Sequence, residues 1–154
     1  MSDTKIKLDQ LDFRIIDINS DDYGQTLLLR HEILRRPIGK SIAEDDLSRE
    51  NEDCILGAFH GEQLVAMATL KDSSSEESII RYVAVDESWR RQGIGTAIIL
   101  RLEEEAMRRK KKRIRLMARV TVVPFYENLG YKKEGETFVP DNHTVVHVWM
   151  SREL

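Results

Sequence analysis

The chain has almost no cysteine. Its one thiol, Cys54, cannot close an internal disulfide, which suits a reducing, cytoplasmic setting. It also lacks a long hydrophobic run. No segment approaches the roughly 18 apolar residues of a membrane helix, and residues 1–10 are polar, with no signal-peptide core. Gly39-Lys40-Ser41 is the one Gly-Lys-Ser/Thr, but Leu34 stands where a phosphate loop needs its first glycine, which excludes a loop of that type. Metal-ligand clusters are missing too. His143 and His147 are four residues apart, and on a strand that spacing spans about 13 Å, so they are not expected to share a metal.

What is present fits one ordinary globular domain over residues 1–154, with 41% apolar and 33% charged residues. The net charge is −3, unevenly spread. Residues 41–78 hold ten acids and two bases; residues 79–119 hold twelve bases and five acids. Within the second block, Arg108-Arg109-Lys110-Lys111-Lys112-Arg113 has no interleaved aromatic residues. It reads as a solvated helix end, where cations are favourable, and not as a nucleic-acid site.

Residues 79–112 organise the rest. Ile79, Ile80, Val83 and Val85 predict a strand. From Gly95 the period changes, and Ile98, Ile99, Leu102 and Ala106 share one face of a predicted helix over 96–112. Between them lies Arg90-Arg91-Gln92-Gly93-Ile94-Gly95-Thr96. Glycines allow a tight turn and close approach of a ligand. The first amides of a helix have no partner in the helix, and with the dipole they favour an anion, usually a phosphate. A plain strand-to-helix junction would use the same glycines. The dinucleotide fingerprint fails, because Ile98 stands where a third Gly or Ala is wanted.

Elsewhere the pattern predicts a loose tail over Met1–Leu11, a strand over Asp12–Ile18, and a helix capped by Ser20 that Pro37 and Gly39 end. A second short helix is expected within 40–50. A hairpin of Cys54–Phe59 and Leu64–Leu70 follows. Ile114–Ala118, a helix over 123–129, and strands Tyr131–Glu136 and Val145–Met150 complete the chain. The order β-α-α-β-β-β-α-β-α-β-β predicts an α/β (mixed-sheet α+β) architecture. The strands at 79–85 and 114–118 are expected to be parallel neighbours.

Arg90-x-x-Gly93-x-Gly95, directly after Val83-Ala84-Val85, resembles the acyl-CoA-binding signature [Q/R]-x-x-G-x-[G/A] of the GNAT superfamily. Phe125-Tyr126-Glu127-Asn128-Leu129-Gly130-Tyr131 is similar to that superfamily's FYxxLGF segment. Arg81 before Ala84-Val85, Ala118-Arg119, Gly135-Glu136-x-Phe138 and His147-Val148-Trp149-Met150 resemble a subgroup. These motifs cover about residues 25–154. The resemblance implies the GNAT acyl-CoA N-acyltransferase fold and acetyl-CoA as cosubstrate, without a metal. It implies an amine acceptor, small or peptide, and no membrane or nucleic-acid partner. Homodimers are frequent in the superfamily.

By the same resemblance, the pantetheine arm would lie between the parted strands on Val83, Ala84 and Val85. The pyrophosphate would rest on Arg90, Arg91, Gln92, Gly93, Ile94, Gly95 and Thr96, and Phe125 and Tyr126 would close the cofactor site. Tyr126 is implied as general acid. No Glu lies in 79–85, where many members keep their base. His147 is then the first candidate base, with a pKa suited to neutral pH, and Glu136 the second. Arg81, Arg119 and Glu136 are placed at the acceptor, with Arg30, Arg35, Arg36 and Glu44 near it. The alternative is a CoA-binding module of the same fold without turnover.

Overall fold

The computed structural model describes residues 8–154. Its centre is a seven-stranded mixed sheet with strand order β1-β2-β3-β4-β5-β7-β6. The strands are β1 (Asp12–Ile15), β2 (Cys54–His60), β3 (Gln63–Asp72), β4 (Glu77–Val85), β5 (Arg113–Arg119), β6 (Lys132–Phe138) and β7 (His147–Glu153). The helices are α1 (Asp21–Arg30), α2 (Ile94–Arg108) and α3 (Val123–Asn128). The β4–β5 pair is parallel and joined through α2, whereas every other neighbouring pair is antiparallel.

The hydrophobic period that predicts α2 also fixes its place. Ile98, Ile99, Leu102 and Ala106 are buried among Ile80, Ile114, Leu116 and Val148 of the sheet. Fully burying one such aliphatic side chain is worth about 1.5–3 kcal/mol. A second core on the opposite face holds Leu29 of α1 with Ile55, Phe59, Leu64 and Met67.

Three expectations change. Of the expected tail, residues 1–7 lie outside the described residues, but Leu8–Gln10 form a 3-10 turn and Leu11 is buried. The expected helix within 40–50 is replaced by isolated 3-10 turns at Ile42–Glu44 and Glu50–Glu52. Two of its carboxylates, Asp45 and Glu50, are drawn into ion pairs with Arg30 of α1 and Arg35 of the turn that follows it. Ser20 precedes α1 without capping it, because its hydroxyl donates to the carbonyl of Asp17. Helix α1 passes into a π turn at His31–Arg35 and a 3-10 turn at Arg36–Ile38, and ends at left-handed Gly39.

The basic run is not a free patch. Arg109 and Lys111 pair with Asp72, Lys112 with Glu76 and Arg113 with Glu77. The acidic block before β4 and the basic block after α2 neutralise each other across the sheet's edge.

Candidate active site

Strands β4 and β5 part. Their register runs from Glu77↔Arg113 to Ile80↔Leu116 and stops, although β4 continues to Val85 and β5 to Arg119. On the other side of β4, Met67↔Ala84 and Thr69↔Arg81 flank a bulge, so Tyr82 and Val83 together face Ala68. Tyr82 has φ 57, a left-handed conformation that costs a non-glycine residue about 1–3 kcal/mol. The bulge turns β4 out of register with β5 and leaves the β5-facing main chain of residues 81–85 unpaired.

The glycine turn lies at the end of this gap. Arg91 (φ 63) and Gly93 (φ 80) are both left-handed. Gly93 is the N-cap of α2, and no side chain caps the helix. The amides of its first turn therefore remain free for an anion. Arg90 and Arg91 are exposed beside it. A Cβ on Gly95 would point at Phe125, 3.7 Å away, and Val85, 3.8 Å away. So α2, α3 and the tip of β4 converge on one spot, where a methyl group would just make contact and a larger side chain would fill the space. Gln92 Oε1 is buried without a partner. Free amides, free guanidinium groups and an open cradle fit a phosphate-bearing cofactor. Ile94 is buried and can offer only its main chain, and Thr96 is half-buried.

Tyr126 lies on α3 with its ring edge-on to Phe125 and Tyr131, centroids 5.0 and 5.9 Å away. Burial alone pushes its phenol up to about 12. It is protonated at neutral pH, as an acid must be.

His147 opens β7 opposite Arg119. Its Nδ1 is 2.8 Å from the carbonyl oxygen of Val145. A carbonyl only accepts, so Nδ1 carries the proton and Nε2 holds the free lone pair. Burial and Arg119 lower its pKa, against the smaller opposing effect of the Val145 bond. Because β7 starts only at His147, residues 140–146 loop back. The rings of His143 and His147 meet edge to face with centroids 4.7 Å apart, which overturns the strand-based separation of about 13 Å. His143 Nδ1 accepts from the amides of Thr144 and Val145, both at 3.0 Å. Sequence reasoning missed His143, and the signal for it was the turn Pro140-Asp141-Asn142.

On the α1 face, a cleft of about 790 Å³ runs beside the bulge of β4, lined by Arg35, Glu44, Asp53, Arg81, Tyr82 and His143 among others. Arg81 Nη2 donates to Asp53 at 2.8 Å, while its Nε is buried without a partner. Arg119 donates only to the carbonyl of Leu34, at 3.4 Å. Of the other residues expected near the acceptor, Arg35 and Glu44 line the cleft. Arg30 is buried behind it against Glu50, and Arg36 points outward to Glu32. Glu136 is exposed in the wide bulge of edge strand β6 and does not line the cleft, and neither do Arg119, Tyr126 or His147. Glu77, the glutamate of β4, sits at the far end and pairs with Arg113.

The profile of the acetyltransferase (GNAT) domain family matches residues 21–154. The chain belongs to this family. A curated relative, "GCN5-related N-acetyltransferase 2, chloroplastic" of Arabidopsis thaliana, is 32% identical over 74 residues, 48% of this chain. The chain aligns with only 29% of that relative's length. An acyl-CoA N-acyltransferase from Pseudomonas aeruginosa superposes with a TM-score of 0.79 and 22% identity, over 92% of this chain and 99% of that one. A GNAT family acetyltransferase from Elizabethkingia anophelis with acetyl-CoA bound gives a TM-score of 0.68 at 15% identity, over 95% and 99% of the two chains. The mixed sheet and its helices are thus the GNAT fold. No helix among the described residues is long and apolar enough to cross a membrane.

Proposed function

We propose that this GNAT domain transfers an acetyl group from acetyl-CoA to a primary amine by direct attack. The observation that carries the reading is the gap beyond Ile80↔Leu116, with the uncapped end of α2 at its mouth. Acetyl-CoA supplies the activated thioester. The amides of Gly93–Thr96 hold its pyrophosphate, assisted by Arg90, Arg91 and the Gln92 backbone. The free main chain of Val83, Ala84 and Val85 aligns its arm, and one of those N–H groups faces the oxygen on which charge develops. Phe125 closes the slot from α3.

His147 Nε2 takes the proton the amine must lose. The new N–C bond forms as the C–S bond breaks, and the Tyr126 hydroxyl gives its proton to the departing sulfur. Each positioned proton transfer is typically worth about 10²–10⁴ in rate. Arg81 and Arg119 face the acceptor. Glu136, exposed on β6, is less well placed than His147 to act as base.

The alternative, a module that binds CoA without turnover, draws on one observation: Glu77, the glutamate of β4, is tied to Arg113 far from the gap. Calorimetric titration with acetyl-CoA, followed by free-thiol release with an amine panel, separates the two. Micromolar binding that Gly95→Leu weakens at least ten-fold is expected, and thiol release then identifies an enzyme. Absence of binding by folded protein would falsify both readings.

A further inference from the structure

On the acceptor side of the gap, one guanidinium has no carboxylate partner among the described residues. Every nitrogen of the Arg35 guanidinium is engaged, with Nε and Nη2 on Asp45 at 2.7 and 2.9 Å and Nη1 on the carbonyl of Leu34 at 3.2 Å. Arg119, at the tip of β5, reaches the same carbonyl at 3.4 Å and has no carboxylate. Two guanidinium groups therefore crowd one oxygen. Burial, with Arg35 next to it, pulls the Arg119 pKa below its ordinary value, so both make its charge costly. His143 is depressed by burial first and then by His147, Arg119, Arg35 and Lys40. None of the acids that line the cleft pairs with Arg119. Asp45 is taken by Arg30 and Arg35, Glu50 by Arg30, and Asp53 by Arg81.

A half-buried guanidinium without a counter-ion is costly unless a ligand brings one. Its planar fork suits a carboxylate, which it grips through two hydrogen bonds. Arg119 pairs in register with His147, so an anion on Arg119 would hold its bearer beside the basic nitrogen. We propose that the acceptor is a small amine bearing a carboxylate, an amino acid, with Arg119 as its carboxylate-binding residue. This rests on the acetyltransferase reading above.

The test uses acetyl-CoA and pairs of amines that differ only by a carboxylate: lysine and cadaverine, phenylalanine and phenethylamine, tyrosine and tyramine. Calorimetry first establishes acetyl-CoA binding, and failure there sinks the acetyltransferase reading itself. In protein that binds, the carboxylated member of at least one pair is expected to be preferred in kcat/KM by roughly 10- to 100-fold. Arg119→Gln erases that preference and Arg119→Lys keeps part of it, while both variants retain wild-type affinity for CoA. Three results overturn the proposal: equal or better use of the decarboxylated amines, a preference that survives Arg119→Gln, or no turnover of either member of any pair. Loss of CoA affinity in Arg119→Gln would also overturn it, by assigning the guanidinium to the cofactor.

Discussion

The guanidinium of Arg30 sits over the ring of Tyr82, its central carbon 3.8 Å from the ring centroid. The same side chain is 1% exposed and donates to both oxygens of Glu50, at 2.8 and 2.7 Å. Tyr23 donates a third bond to that carboxylate at 2.8 Å. One buried ion pair thus backs the residue whose left-handed backbone opens the sheet. The stacking offsets part of the strain at Tyr82, since a desolvated cation–π contact is worth about 2 kcal/mol.

Arg30→Met is expected to cost about 3–5 kcal/mol in urea unfolding, because it strands a buried carboxylate. The double variant Arg30→Met/Glu50→Leu should recover most of that loss. A single variant as stable as wild type would mean that the pair does not support the bulge.

Tyr126→Phe is expected to lower kcat by about 10²–10⁴ and to leave acetyl-CoA affinity and Tm nearly unchanged. The hydroxyl makes no hydrogen bond among the described residues, so its removal strands no partner. Unaltered turnover at saturating substrates would remove the acid role.

The pH profile follows from two groups shifted in opposite directions. His147 titrates below its ordinary 6.5, so the neutral base is already dominant at pH 7. Tyr126 titrates at about 12. At saturating substrates, kcat should rise with pH below about 6.5 and then stay level to the alkaline limit of the assay. His147→Gln should abolish the acid limb along with most of the rate. An unchanged acid limb in that variant would assign it to another group.

The same two histidines link stability to pH. His143 and His147 both have folded pKa values below the unfolded one. Between the two values the unfolded chain binds more protons, so stability rises with pH there and is lost as pH falls. The drop in Tm from pH 7 to pH 5 should be smaller in His143→Gln/His147→Gln than in wild type. An equal drop would mean that the carboxylates alone set it.

The strand, turn and helix around the gap were legible in the sequence, but the side chains packed on its α1 face were not. Val83 to Thr96 and Phe125-Tyr126 are contiguous, so their spacing alone places strand, turn and helix. The acceptor side is assembled from residues far apart in the chain. Arg119 meets the carbonyl of Leu34 across 85 positions, and Arg81 meets Asp53 across 28. No local period reports such contacts. The bulge at Tyr82 was equally silent, because a tyrosine within an apolar run predicts regular pleating. The acidic stretch 40–50 read as a second short helix. Tertiary ion pairs with Arg30 and Arg35 took Asp45 and Glu50 instead.

The gap in the sheet is present in the protein as it stands, so the slot does not have to be pried open by its occupant. Main-chain amides of β4 beyond Ile80 that face β5 have no strand opposite them. Core strands usually surrender their amide protons to deuterium only on global opening, and frayed segments exchange far sooner. The β5-facing amides within residues 81–85 should therefore stand out as a fast-exchanging island, while those bonded to β3 stay slow. Occupancy of the slot should be visible as that island falling silent.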